Sequence, residues 1–135
     1  MFTEGELLYL RDHTIGRLAS AGADGRPHVV PVRFRLSEGG RSLEIGARDL
    51  PVRGQRRAYR DNAAENPELA IVVDDYTEDG VPRGLLIRGT AKLHDSGGEQ
   101  VVRGGGPQWL ELMPASISSW GIDSAGYAPP IRRAF

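Results

Sequence analysis

Four arginines, Arg53, Arg56, Arg57 and Arg60, stand at i, i+3, i+4 and i+7 within residues 52–67, VRGQRRAYRDNAAENP. That spacing predicts a single helical face carrying four guanidinium groups. Asp49 is placed to cap such a helix, Pro51 suits its first turn, and Asn66-Pro67 ends it. The free amides at a helix start attract anions, so residues 47–55, from Ala47 to Gln55, read as an anion cradle, and the planar arginine fork suits phosphate. A plainer reading competes with it. The arginines could instead form a solvated face paired with Asp61 and Glu65, each pair contributing only about 0.3–0.5 kcal/mol.

The rest of the chain says which anion to consider. The net charge is −1, so no global field favours a polyanion. Asp74, Asp75, Glu78 and Asp79 follow the basic segment closely, and only Tyr59 interrupts it with an aromatic ring. These features argue against nucleic acid and for a small anionic ligand. Asp74 and Asp75 are also placed to face the arginine-rich helix as an ion-pair network.

Other chemistry finds little support. With no cysteine, disulfides, thiolate nucleophiles and thiolate metal ligands are excluded. His13, His28 and His94 lack metal-ligand spacing, so no metal is expected. Ser116, Ser118 and Ser119 lack the setting of a nucleophilic serine and read as strand hydroxyls. Trp109 and Trp120 read, from the residues alone, as packing groups. The start, MFTEGELLYLRD, is too acidic for a signal peptide and no long apolar run follows, so a cytoplasmic protein without membrane contact is expected. Sixteen of the seventeen basic residues are arginine, the skew of a GC-rich coding sequence.

These residues need a scaffold. A chain of 135 residues makes one domain, residues 1–135, able to bury about two-thirds of its unfolded surface. The 18 glycines and 9 prolines punctuate it into short elements, which favours a β-rich fold. Thr3-Glu-Gly-Glu6 has the form of a capping box and predicts a helix over 4–11. TIGRLASA and PHVVPVRFRL read as two strands joined by a hairpin turn at Asp24-Gly25. In the second, Val30, Val32, Phe34 and Leu36 share one face while Val29, Pro31, Arg33 and Arg35 share the other. Pro31 removes a ladder donor, so that strand is expected to run partly along an edge or bulge. SLEIGA, ELAIVVDDY, GLLIRGTAKLHD and PASISSWGI supply four more strands, with a bulge or bend expected at Gly89 and the last strand starting at Pro114. The tail DSAGYAPPIRRAF carries no periodic signal. Six short strands with helices at the rim predict a small β-barrel.

The order IGRLASAGADGRPHVVPVRF, LEIGA, basic helix, NPELAIVVDD, GLLIRGTAKL and SISSWGI resembles the split β-barrel flavin and deazaflavin oxidoreductases related to pyridoxamine 5′-phosphate oxidase. The likeness spans nearly the whole chain and is greatest to the actinobacterial branch that uses coenzyme F420. It implies a mainly β, six-stranded split barrel of the FMN-binding type, homodimeric, with two cofactors held between subunits. By position, Pro31, Val32 and Arg33 would border the cofactor ring, and Ala47, Arg53, Gln55, Arg56 and Arg57 would lie along its phosphate-bearing tail. Trp120 of one chain would approach the cofactor bound by the other. Relatives commonly carry a lysine where this chain has Ala58, a place that Arg56 or Arg57 would fill. The implied activity is hydride transfer from reduced F420 to a conjugated C=C or enone of a small metabolite, as in tetracycline-like antibiotic biosynthesis. Arg33 or Arg35 would stabilise the developing oxyanion, and no proton donor is identifiable. The resemblance leaves two alternatives open: an FMN-binding oxidoreductase or flavin reductase, and a non-catalytic F420 carrier.

Overall fold

A computed structural model describes residues 1–48 and 56–135. The chain begins with helix α1 (Glu4–Arg11), whose capping box is formed in both directions: the Glu6 amide donates to Thr3 Oγ1 and the Thr3 amide to Glu6 Oε1. Strands β1 (Ile15–Ala21) and β2 (Pro27–Leu36) follow as a hairpin whose turn glycine, Gly25, has φ of 75°. Next come β3 (Leu43–Gly46), helix α2 (Ala58–Glu65), β4 (Glu68–Tyr76) and β5 (Pro82–His94). A single turn, α3 (Gly98–Val101), precedes β6 (Trp109–Trp120) and β7 (Ile131–Ala134).

Neighbouring strands pair antiparallel in the order β3-β2-β1-β4-β5-β6-β7, and β3 also pairs with β6. That last pairing closes six strands into a barrel. It covers only Leu43↔Leu112, Glu44↔Glu111 and Ile45↔Leu110, while the other half of the same β6 edge is taken by β7 from Ser116 to Ser119. The barrel is therefore closed at one end of β6 and split at the other. Period-two alternation fills its interior: Leu18, Phe34, Leu43, Ile45, Ile71, Val73, Leu85, Ile87, Leu110, Leu112 and Ile117 are buried. Full burial of each such side chain contributes about 1.5–3 kcal/mol against leaving it in water.

The expected irregularity at Gly89 is present. The β5–β6 register shifts between Arg88 and Gly89, and a Cβ on Gly89 would lie 1.9 Å from the Met113 carbonyl oxygen, so only glycine permits this approach.

Three expectations are corrected. Helix α2 starts at Ala58, and Arg57, at its N-cap, is extended with φ −95° and ψ 123°. Arg56 and Arg57 thus precede the helix, Arg60 alone lies within it, and the four-arginine face does not form; Asp49, Pro51, Arg53 and Gln55 lie outside the described residues. Asp74 and Asp75 do not face α2: Asp74 pairs with Arg17, while Asp75 takes Arg83, Tyr9 and His13. The last barrel strand begins at Trp109 rather than Pro114, and the unpatterned tail supplies a seventh strand. That strand needs no apolar alternation, because Arg133 ties it to the buried Glu6 carboxylate.

Candidate functional site

The site arises where β2 loses its second neighbour. The Phe34 amide donates to the Thr14 carbonyl, so by alternation Val30, Val32 and Phe34 turn their backbone groups toward β1, whereas Pro31 and Arg33 turn theirs to the opposite edge. Gly46 of β3 meets Arg33 there. Two residues further on, Arg48 does not meet Pro31 but bridges to Gly105. The two segments part, and Pro31 sits at the opening, where its missing N–H costs no ladder bond. This is the edge position that the proline predicts.

A cavity of about 390 Å³ fills the gap, within the size range of small-molecule sites. One wall is β2 from His28 to Arg33, the other runs from Gly46 to Arg48, and residues 56–59 form the remaining side. Pro31, Val32, Arg33, Ala47, Arg56 and Arg57, six of the residues singled out by sequence, all line this one cavity. Arg35 does not. It faces outward and donates from Nε to Glu44 Oε1 at 2.7 Å, so its charge is engaged on the β2–β3 surface and the assignment of an oxyanion role to it is withdrawn. Trp120 also lies away from the cavity of its own chain, at the far end of β6 opposite Gly84.

Four guanidinium groups, from Arg33, Arg48, Arg56 and Arg57, stand in the wall, and no carboxylate does among the described residues. Arg56 is neutralised from outside by Asp61 through a forked contact, Nε to both carboxylate oxygens at 3.0 Å. The hydrogen bond from Arg56 holds the Asp61 carboxyl below its ordinary value. Arg57 instead donates from Nη2 to the Arg48 carbonyl at 3.0 Å, leaving its positive charge uncompensated. Arg60 turns out to be structural: Nη1 donates to the Trp109 carbonyl at 2.9 Å and Nη2 to the His94 carbonyl at 3.1 Å, tying α2 to the ends of β5 and β6. The basic segment therefore divides into two ligand-facing arginines and one that holds the fold.

Sequence reasoning missed His28, Arg48 and Tyr59. Tyr59 is buried against the cavity, and burial pushes its phenol up while the charges of Arg57 and Arg60 oppose the rise. His28 Nδ1 is buried and has no hydrogen-bond partner. An orphaned ring nitrogen in a cationic cleft fits a site that receives a polar, anionic group. His28 shares the β2 face of Val30 and Val32, which a period-two reading already showed; Arg48 follows directly on Ala47, and only its position at the strand exit could have flagged it.

Fold and cleft together define a split β-barrel with a binding site for a small anionic molecule at the parting of two strands. The chain belongs to the pyridoxamine 5′-phosphate oxidase family, whose model matches residues 4–121. It is 39% identical over 124 residues to the 5a,11a-dehydrotetracycline/5a,11a-dehydrooxytetracycline reductase of Streptomyces rimosus, covering 90% of this chain and 84% of that one. Among solved structures it is similar to a conserved hypothetical protein from Mycobacterium tuberculosis, with TM-score 0.67, 16% identity and coverage of 89% and 85% of the two chains. An FAD-binding protein from Mesorhizobium loti matches with TM-score 0.63 and 17% identity over 83% and 87%. At these identities the structural matches establish the fold. The family and the Streptomyces relative are oxidoreductases by their names.

Proposed function

We propose that the protein is an F420-dependent reductase that delivers hydride to a conjugated C=C or enone of a small metabolite, of the tetracycline-like class. The observation that carries this reading is the cationic cleft at the open edge of β2, in a chain 39% identical to a reductase of a polycyclic enone-type substrate. Bound there, reduced F420 supplies the hydride donor of the reaction. The chain's own residues bind and orient. Pro31 and Val32 offer a flat, partly apolar wall on which a ring can rest, with Arg33 at its end. Arg56 and Arg57 meet the anionic tail at the opposite side. Arg33 is the lining cation free to face an oxyanion that develops on the substrate.

The exposed face of the β1–β2–β4–β5 sheet supports a homodimer. Ile15 and Val29 are 56% and 62% exposed there, and Ala19 pairs with both Val29 and Ala70, which gives a shallow surface of small apolar side chains. A second copy on that face would bring its Trp120 toward the cleft. Among the described residues no helix is long and apolar enough to cross a membrane, and the proposed setting is the cytoplasm.

The test is a titration of the purified protein with F420 and with FMN, followed by anaerobic turnover of a dehydrotetracycline-type enone with reduced F420. Tighter F420 binding with turnover supports the reading. Preference for FMN points to a flavin enzyme, and tight F420 binding without turnover across an enone panel points to a carrier.

A further inference from the structure

The sequence contains a glycine run, Gly104 to Gly106, that neither fold nor proposed reaction has yet required. In the structure it clamps the backbone that carries Arg48. Gly105 bridges to Arg48, and the Gly106 amide donates to the Ala47 carbonyl at 3.1 Å. The approach is close: a Cβ on Gly105 would stand 2.8 Å from the Val102 carbonyl oxygen and 3.2 Å from that of Ala47. From the other side Arg57 Nη2 grips the Arg48 carbonyl at 3.0 Å. Arg48 is thus an exposed arginine on an anchored backbone, at the mouth of the cavity, linked through its own carbonyl to a second arginine.

We propose that Arg48 is a further ligand-binding residue, which with Arg57 forms a two-guanidinium clamp selecting a ligand tail that carries more than one anionic group. Holding two like charges together is unfavourable until an anion enters between them, so the ligand supplies what the protein omits. The charge inventory points the same way. Of the four lining guanidinium groups only Arg56 has a carboxylate partner among the described residues, which leaves Arg33, Arg48 and Arg57 for the ligand. Three cations exceed what one phosphodiester needs and match a tail with further carboxylates or phosphates. The orphaned His28 Nδ1 adds a polar contact in the same cavity. This inference rests on the proposed function for the identity of the ring but not for the chemistry of the clamp.

The experiment compares three probes, F420, FMN and riboflavin, by fluorescence titration of the native protein and of the Arg48→Ala, Arg48→Lys and Gly105→Ala variants, with thermal melting as a check on folding. Arg48→Ala is expected to weaken F420 by about 10-fold to 100-fold, the effect of one charge-assisted hydrogen bond, and to leave riboflavin, which has no anionic group, within about 2-fold. Arg48→Lys keeps the charge and recovers part of the loss. Gly105→Ala moves the Arg48 backbone and is expected to weaken F420 more than riboflavin. Equal losses for F420 and riboflavin, or no loss for F420, overturn the clamp. If the native protein prefers FMN to F420, the F420 reading fails, and the clamp is then judged by whether Arg48→Ala weakens FMN more than riboflavin.

Discussion

Removing Arg133 tests whether the C-terminal strand is held by one buried charge. Glu6 is fully buried at the side-chain level, and its carboxylate accepts from the Thr3 amide at 2.9 Å and from Arg133 Nη1 at 3.1 Å and Nη2 at 2.5 Å. Breaking a wholly enclosed pair from one side costs about 3–5 kcal/mol. Arg133 retains 27% exposure, so water screens part of the interaction and about 2–3 kcal/mol is the better expectation for Arg133→Ala. In a domain of this size that lowers Tm by about 6–15 °C. The pH dependence is the sharper part. Burial pushes the Glu6 carboxyl up, but the Arg133 hydrogen bonds, the Thr3 amide and the Arg133 charge together bring it below its ordinary value. In the native protein this carboxylate therefore contributes stability above its unfolded pKa, near pH 4.3, and the contribution is lost as pH falls through the folded pKa. In Arg133→Ala burial is left with the Thr3 amide as its main opponent, the folded pKa rises above the unfolded one, and stability is lost as pH increases. The gap between native protein and variant should be smaller at pH 4 than at pH 7 in urea melts, and Glu6→Gln in the Arg133→Ala background should recover part of it at pH 7. A gap equal or larger at pH 4 refutes the reasoning.

Three further outcomes follow from single contacts. Gly89→Ala drives a methyl into the Met113 carbonyl and should destabilise the barrel by about 2 kcal/mol or more, read as a lower urea midpoint with unchanged slope. Arg60→Ala strands the Trp109 and His94 carbonyls and should cost about 1–3 kcal/mol of stability with F420 affinity changed little in the folded fraction. Arg57→Ala should do the reverse, weakening F420 by about 1–3 kcal/mol with a near-native melting temperature.

Much of the barrel was legible because its strands alternate cleanly and their turns carry decisive residues. Asp24-Gly25 fixed a hairpin, Gly89 marked the bulge, and Pro31 marked the edge at which the cleft opens. The basic segment misled because i, i+3, i+4, i+7 spacing describes a helical face only where the backbone is helical, and Arg57 is extended. Its arginines still divide by function, but through tertiary contacts: Arg60 reaches carbonyls on β5 and β6 that no local pattern announces. Strand β7 was illegible for a related reason. Ile-Arg-Arg-Ala has no buried face of its own, and what places it is the backbone edge of β6 together with a carboxylate 127 residues away. Arg48 escaped notice because its role depends on a glycine run in a distant loop.

Isotope transfer tests the central claim most directly. Reduced F420 carrying deuterium at C5, incubated anaerobically with the protein and a dehydrotetracycline-type enone in ordinary water, should yield a product with one deuterium at the β-carbon and a solvent hydrogen at the α-carbon. A reduced product with no deuterium, or no reduction while F420 remains bound, would contradict hydride delivery from this cleft.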